Sequence, residues 1–159
     1  MTDFSIRRAK RSDLTALGRL GAELMRLHHR FDRQRFIAPP DRPEEGYAWF
    51  LGTQLDSDDS VIFVACDGDV ILGYVYAAIE PMSWKELRDR CGFVHDVIVD
   101  STHRRHGVAS ALLNAAFDWL KSEGMPRVVL GTASANEAAQ RLFDQLGFRR
   151  TMIEMTREL

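Results

Sequence analysis

A basic turn between a predicted strand and a predicted helix holds the residues best suited to chemistry. Residues 102–108 read THRRHGV, and apolar residues at helical spacing follow them. Backbone N–H groups at a helix start have no partner within the helix, and the helix dipole adds partial positive charge there. Such a helix start binds phosphate, and Gly107 lets a diphosphate approach the backbone where a Cβ would block it. The turn therefore predicts a phosphate-binding loop; a solvated basic turn before an ordinary amphipathic helix is the alternative. The predicted contacts are Arg104, Arg105, His106, Gly107, Val108, Ala109 and Ser110.

Other nucleotide-binding and metal-binding motifs are missing from the sequence. It has no GxxxxGK[ST] run for a nucleoside triphosphate and no GxGxxG run for a dinucleotide. Cys66 and Cys91 are expected to be structural, and no Cys/His spacing suits a metal. Four histidines are expected at the surface rather than in a metal site: His28, His29, His103 and His106.

Hydrophobic periodicity predicts one α/β (α+β) domain over residues 1–159. The predicted strands are Phe4–Arg8, Val61–Cys66, Val70–Glu80, Gly92–Val99, Arg127–Thr132 and Thr151–Arg157. The predicted helices begin at Ser12 (as N-cap), Pro43, Val108 and Ser134 (as N-cap, in a capping box with Glu137), and a short helical turn is expected at Trp84–Arg90. Asp67-Gly68 predicts a hairpin between the second and third strands. Antiparallel strands are expected to be neighbours in the first part of the sequence, and a βαβ crossover is expected in the last part. This order predicts a mixed sheet with helices on both faces.

Two segments resemble the GNAT superfamily of N-acetyltransferases. Residues 104–109 match its pattern [QR]-x-x-G-x-[GA], and residues 136–148 match N-x-x-A-x-x-L-[YF]-x-x-x-G-F. The resemblance implies that the basic turn holds the pyrophosphate of acetyl-coenzyme A as co-substrate. It also implies that the sheet splays between strands four and five, with the pantetheine arm in the gap. The further cofactor contacts that it implies are Val97, Ile98, Val99, Asn136 and Phe143. For Asn136, a simple role at the helix start is the alternative.

Acetyl transfer to an amine needs a base for the ammonium, a donor for the oxyanion and a proton for the leaving thiolate. His95 and Asp96 directly precede the segment that the resemblance assigns to pantetheine, and both are candidate acid–base residues. Glu80, at the end of the third strand, is a rival base. Adjacent residues of a strand point to opposite faces, so His95 and Asp96 share a wall only if the strand is bulged. The alternative is that one of the two only satisfies neighbouring backbone groups.

Phe143 is a departure from the family pattern. Many members have a tyrosine there, which lies near the thioester sulfur and protonates the thiolate. Phenylalanine has no proton to give, and at helical spacing from Ala139 and Leu146 it is most simply a core residue. The sequence therefore assigns no general acid.

Composition limits the classes of partner. The 21 basic and 23 acidic residues leave a formal net charge of -2, which argues against nucleic-acid binding through a broad basic face. No apolar run approaches the roughly 20 residues of a membrane span, and no secretory signal is visible. A cytoplasmic protein without a membrane partner is expected. A homodimer is plausible from the family, with the edge of the strand Thr151–Arg157 pairing with a second subunit.

The leading function is transfer of the acetyl group of acetyl-CoA to a primary amine of a small molecule, by direct attack in a ternary complex. Acetylation of a protein N-terminus or lysine is a second enzymatic hypothesis. A third, motivated by Phe143, is a non-catalytic acyl-CoA-binding regulator. Family resemblance places the acceptor near residues 28–36 and 81–86, and the sequence does not identify it.

Overall fold

In the computed structural model, which describes residues 3–159, a mixed five-stranded sheet separates two layers of helices. The strands lie across the sheet in chain order: β1 (Ser5–Arg8), β2 (Ser60–Asp67), β3 (Val70–Glu80), β4 (Cys91–Val99) and β5 (Val128–Leu130). The helices are α1 (Leu14–Phe31), α2 (Pro43–Leu55), α3 (Val108–Ser122) and α4 (Glu137–Gln145). Strands β1 to β4 are antiparallel neighbours, whereas β5 is parallel to β4. The predicted mixed sheet with helices on both faces is confirmed.

The strand alternation divides the core into two apolar layers. On β3, Val75 and Ala77 face the layer that contains α3, whereas Tyr74 and Tyr76 face the layer that contains α1 and α2. Because both faces of β3 are covered, almost the whole strand is apolar and buried. Among residues 3–159, no helix is both long enough and apolar enough to cross a bilayer.

Two glycines let α2 lie unusually close to α1. A Cβ on Gly18 would lie 2.4 Å from the carbonyl oxygen of Glu44, and a Cβ on Gly21 would lie 2.1 Å from Cδ1 of Tyr47. Neither distance is compatible with a side chain. The aromatic ring of Tyr47 therefore rests on the backbone of α1, and this contact fixes where its hydroxyl points.

Two irregularities in β4 shape the middle of the sheet. Parallel pairing with β5 joins Gly92 to Val128 and ends where Val94 meets Leu130, although β4 continues to Val99. The predicted splay between strands four and five is therefore confirmed. On the other side, Ala77 of β3 pairs with Val94 but Tyr76 pairs with Asp96. His95 is the extra residue of a β-bulge.

Several predicted element boundaries need correction. The predicted final strand, Thr151–Arg157, is wrong: residues 149–159 are exposed and form no ladder, because no strand among residues 3–159 pairs with them. The predicted helical turn at Trp84–Arg90 is shorter than expected: residues 84–87 form a turn, and Ser83 and Arg88 exchange two backbone hydrogen bonds that close it.

The two predicted Ser caps are wrong as well. Ser12 lies inside a 3-10 turn, Arg11–Asp13, and Asp13 precedes α1. Helix α4 begins at Glu137 with Asn136, not Ser134, as its N-cap, since Asn136 Oδ1 accepts the N–H of Ala139 at 3.2 Å. By contrast, the hairpin at Asp67-Gly68 and the start of α2 at Pro43 are confirmed.

Asp13 is a buried carboxylate that joins β1 to the start of α1. Its side chain is 6% exposed and accepts hydrogen bonds from both terminal nitrogens of Arg7, at 2.7 and 3.0 Å, and from the backbone N–H of Lys10. The Arg7 hydrogen bond lowers the pKa of Asp13 below its usual value. A carboxyl whose pKa is depressed on folding stabilises the fold above its unfolded pKa, and this contribution is lost as pH falls through the folded pKa.

We expect Asp13→Asn to lower the free energy of unfolding at pH 7 by about 2–3 kcal/mol, because it leaves a partly buried guanidinium without its counter-charge. The loss should begin to shrink as the pH falls below about 4, where the carboxyl of the unfolded chain becomes protonated, and should vanish only below the lowered pKa of the folded state. Urea denaturation across pH 2–7 measures both effects. Asp56→Asn is the matched control, because the Arg11–Asp56 pair is 65% exposed on both sides and should contribute less than about 1 kcal/mol. Equal losses in the two variants would contradict the prediction.

Candidate active site

The basic turn leads into α3 through a left-handed backbone. Gly107, directly before the helix, has φ 77°, and Arg105 has φ 65°. The first backbone N–H of α3 that makes a helical hydrogen bond is that of Ala111, which donates to the carbonyl of Gly107. The N–H groups of the three residues between them are free of helix partners, as at any helix start. Since nothing lies within 4 Å of a Cβ built on Gly107, the surface in front of these donors is open.

Positive charge at this turn is not neutralised by the nearby carboxylate. Asp100 accepts both the N–H and the hydroxyl of Thr102 and pairs with Arg19 at 3.0 Å. These contacts, led by the Thr102 N–H, lower the pKa of Asp100. Arg104 donates through Nε to the carbonyl of Val99 at 3.2 Å, and within residues 3–159 Arg105 makes no hydrogen bond or ion pair. The turn therefore has the donors and the charge that a diphosphate requires.

The part of β4 beyond the splay presents free backbone groups to the gap. Asp100 N–H donates to Leu72 of β3, and bonding alternates along an antiparallel ladder, so Ile98 also bonds to β3. Val97 and Val99 then direct their N–H and C=O groups away from β3, and the Arg104 contact with the Val99 carbonyl agrees with this. Of the three predicted pantetheine contacts, Val97 keeps its N–H and C=O free on this edge within residues 3–159, and Val99 keeps its N–H, since Arg104 engages its carbonyl. The backbone groups of Ile98 are used by the sheet.

A cavity of about 70 Å³ lies where β4 and β5 separate, and we call it the β4–β5 cavity. It is lined by Leu24, His28, Val94, His95, Asp96, Val97, Leu130, Gly131, Thr132, Asn136, Ala139 and Phe143. The predicted cofactor residues Asn136 and Phe143 and the predicted acid–base residues His95 and Asp96 thus meet at one place. Asn136 uses its side-chain oxygen to cap α4, so both interpretations of this residue are compatible with the geometry. Phe143 is buried, as predicted.

His95 and Glu80, predicted as rival bases, form a pair. His95 Nε2 lies 2.7 Å from Glu80 Oε1. The imidazole is stacked between two rings, with centroid distances of 5.0 Å to Tyr76 and 4.6 Å to Phe93. A carboxylate only accepts hydrogen bonds, so in the neutral ring Nε2 carries the proton and Nδ1 keeps the lone pair.

Asp96 lies on the same side of the sheet as His95 because of the bulge. Its Oδ2 accepts the hydroxyl of Tyr47 at 2.7 Å and that of Tyr74 at 3.0 Å. Burial raises the pKa of Asp96, and the two hydroxyls act against that rise, followed by the nearby His95 and His28. Burial also raises the pKa of both tyrosines, which keeps them as donors.

His28 also faces the site, contrary to the prediction that it lies at the surface. It is half-buried on α1, lines the β4–β5 cavity, and its Nδ1 lies 2.9 Å from the carbonyl of Leu24. A signal for this was present in the sequence, since His28 follows Leu17 and Leu24 at helical spacing on the buried side of α1. Tyr47 and Tyr74 were also missed, because their partner Asp96 lies far away in the sequence.

A second and larger pocket, about 740 Å³, lies under the β3–β4 loop, and we call it the loop pocket. It is lined by Glu80, Pro81, Met82, Ser83, Trp84, Lys85, Glu86, Arg88, Phe93 and His95. Trp84 and Leu87 of this loop are 82% and 90% exposed.

Edge-to-face contacts from Tyr47 to Phe50 and from Phe50 to Tyr76 extend the Tyr76–His95–Phe93 stack into one aromatic row. His95 lines both the loop pocket and the β4–β5 cavity. Among residues 3–159, no three His, Cys, Asp or Glu side chains are grouped to hold a metal ion.

Comparisons with known proteins agree with this geometry. The profile described as "Acetyltransferase (GNAT) family" matches residues 22–148. YhfO of Bacillus subtilis, an uncharacterized N-acetyltransferase, is 29% identical over 91% of this chain and 89% of its own. N-alpha-acetyltransferase 30 of Schizosaccharomyces pombe is 33% identical over 55% of this chain, and the chain spans 57% of that protein's length. A protein of Clostridium acetobutylicum described as a predicted acetyltransferase, solved with acetyl-CoA, has the same fold, with a TM-score of 0.73, 16% identity and coverage of 97% and 96% of the two chains.

The fold is that of the acetyltransferase (GNAT) family, to which the chain belongs. Members of this family use acetyl-CoA as co-substrate. The residues of this chain are compatible with that molecule: the open donors before α3 suit the pyrophosphate, and the Val97 C=O and the Val99 N–H suit the amides of the arm.

Gly107→Glu should weaken acetyl-CoA binding by at least about 100-fold, or about 2.7 kcal/mol, because it places a carboxylate in front of the phosphate donors. Titration calorimetry measures the affinity. Gly124→Glu is the matched control, since Gly124 at the opposite end of α3 has the same φ of 77° and the same open surroundings. The backbone strain is therefore equal, and only the position of the charge differs. Normal affinity in Gly107→Glu would overturn the phosphate-loop assignment.

Proposed function

We propose that the protein transfers the acetyl group of acetyl-CoA to a primary amine of a small molecule, by direct attack within a ternary complex. The observation that carries this proposal is the position of His95, which borders both the β4–β5 cavity and the loop pocket. The thioester would enter the β4–β5 cavity from the pyrophosphate loop, and the acceptor would occupy the loop pocket. A base paired with a carboxylate then lies between the two reactants.

Deprotonation of the acceptor is the first chemical requirement, because an alkyl ammonium has a pKa near 10.4. Nδ1 of His95 is the lone pair available to take that proton, and Glu80 stabilises the imidazolium that results. Glu80 is thereby a positioning residue and His95 the base. Asp96 lines the cavity next to His95, and its carboxyl accepts hydrogen bonds from the hydroxyls of Tyr47 and Tyr74.

The free amine then attacks the thioester carbonyl, and the oxygen gains negative charge. Val97 is the first residue after the bulge whose N–H faces the gap, and it supplies a donor for that oxygen. The C–S bond breaks, and the thiolate needs a proton. Asn136, at the far side of the cavity, has a side-chain amide that suits the amides of the arm.

The aromatic row suits an acceptor with an apolar or aromatic body beside its amine. Phe93 stacks on the imidazole of the base and lines the loop pocket together with Trp84, and Tyr76 and Phe50 extend the aromatic row behind the base. Stacking on aromatic faces favours aromatic bodies and also attracts the cationic amine. Acetylation of a peptide N-terminus is the second candidate, favoured by the similarity to N-alpha-acetyltransferase 30 and by the exposed loop.

The C-terminal residues 149–159 support a homodimer. They are exposed, and Met152, Ile153 and Met155 lie open to solvent. Glu154 ties the segment to Arg35 through two hydrogen bonds. Within residues 3–159, β5 pairs only with β4, so its other edge is open. An exposed segment with apolar side chains and a sheet edge without a neighbour complement each other between two copies of the chain, where the segment would become a strand. The proposed cytoplasmic location rests on sequence composition alone.

A panel of amines tests the function, with release of free coenzyme A as the readout. It includes arylalkylamines, polyamines, aminoglycosides and peptides with free N-termini. Wild type should turn over arylalkylamines best, and His95→Gln should lower kcat by about 100-fold or more. Glu80→Gln should give a smaller loss, because the imidazole remains. Turnover of peptides alone would favour the second candidate, and tight acetyl-CoA binding without any thiol release would show a non-catalytic binder. Unchanged turnover in His95→Gln would remove it from the mechanism.

Light scattering after gel filtration tests the dimer. Wild type should have twice the mass of the chain, and Ile153→Asp with Met155→Asp should give the single mass, because two charges replace the apolar contacts. Thr151→Asp with Thr156→Asp adds the same charge at polar positions of the same segment and should remain dimeric. A wild-type protein of single mass would defeat the proposal.

A further inference from the structure

We propose that His28 is a catalytic residue that gives a proton to the departing coenzyme A thiolate. The inference rests on the proposed function, and it fills the place that Phe143 leaves without a proton. His28 lines the β4–β5 cavity together with Phe143 and Val97, so it lies where the thioester would reach. It comes from α1, on the opposite side from α4, which contributes Phe143.

The imidazole of His28 is held in one orientation and one tautomer. Nδ1 lies 2.9 Å from the carbonyl oxygen of Leu24, and a carbonyl only accepts, so Nδ1 carries the proton. Phe31 and Phe36 contact the ring edge-to-face, with centroid distances of 5.8 and 5.0 Å. Nε2 is left with the lone pair and makes no hydrogen bond within the described part of the chain.

The other polar side chains of the cavity are less suited to this transfer. Asp96 has one oxygen occupied by two tyrosine hydroxyls, and His95 is bonded to Glu80 and stands at the acceptor side. The amide of Asn136 and the hydroxyl of Thr132 are far weaker acids than an imidazolium. Apart from His95, which faces the acceptor, His28 is the only imidazole among the described residues that line the cavity, and its Nε2 is unengaged.

The proton balance closes with His28 neutral at the start and at the end. The acceptor ammonium loses its first proton to His95. Attack of the free amine forms the C–N bond and leaves a second proton on the positively charged nitrogen of the tetrahedral intermediate. Nε2 of His28 takes that proton, the C–S bond breaks with its electron pair on sulfur, and Nε2 returns the proton to the thiolate. The products are the amide and free coenzyme A, and the proton held by His95 goes to solvent.

The test compares His28→Gln with His29→Gln. His29 is the neighbouring histidine on α1, its Nδ1 also meets a carbonyl, that of Phe36, and it does not line the cavity. We expect His28→Gln to lower kcat by about 100-fold with acetyl-CoA affinity within about threefold of wild type, and His29→Gln to behave as wild type. A kcat within threefold of wild type in His28→Gln would overturn the proposal.

Two further measurements separate proton transfer to sulfur from a structural role. An acceptor of low basicity, such as an arylhydrazine, is already unprotonated at pH 7.5, so it should restore much of the rate of His95→Gln and little of the rate of His28→Gln. Equal restoration in both variants would make His28 part of amine deprotonation and overturn the proposal. Phe143→Tyr in the His28→Gln background should regain at least about tenfold, because a phenol then faces the same cavity. A double variant as slow as His28→Gln would assign His28 a structural role. Absence of thiol release from wild type with every amine would instead refute the proposed function.

Discussion

β4 loses its neighbour β5 after Val94 and gains an extra residue at His95, and the site depends on these two departures from regular pairing. Loss of the neighbour leaves the N–H and C=O groups of Val97 and Val99 without a strand, and an extended arm bearing amides can satisfy them. The extra residue puts His95 and Asp96 on one side of the sheet. In a regular ladder, one of these side chains would point into the layer of α3 and α4.

The packing of α1 against α2 couples the β4 bulge at His95 to the rest of the domain. Tyr47 lies on the bare backbone of Gly21, and its hydroxyl reaches Asp96, so the spacing of the two helices is coupled to the floor of the cavity. Two donors on one oxygen partly compensate the desolvation that raises the pKa of Asp96. The same α1 backbone positions His28. Close helix packing, the buried carboxyl and the two histidines therefore form one connected unit.

Local patterns in the sequence predicted the turns and helix starts that depend on interactions between residues close together in the chain. A turn of basic residues with Gly107 before an apolar pattern predicted the start of α3, and Asp67-Gly68 predicted a hairpin. The convergence of His95 and Asp96 on one face could not be predicted, because strand alternation permits it only with a bulge, and nothing near residue 95 indicates one. The pairing of His95 with Glu80 was not predicted, because it depends on how β3 and β4 lie side by side. The segment 151–157 has an apolar pattern that suits a strand, but a strand exists only beside another, and the chain provides none there.

The two histidines differ in the group that fixes their tautomer, and this difference suits opposite tasks. Glu80 occupies Nε2 of His95 and leaves Nδ1 free to accept a proton. The carbonyl of Leu24 occupies Nδ1 of His28 and leaves Nε2 free. In the proposed mechanism, the first ring takes a proton from the acceptor, and the second passes a proton from the tetrahedral intermediate to sulfur. Phe143 of α4 stands where many family members have a tyrosine. In this mechanism the thiolate therefore obtains its proton from His28 of α1 and not from α4.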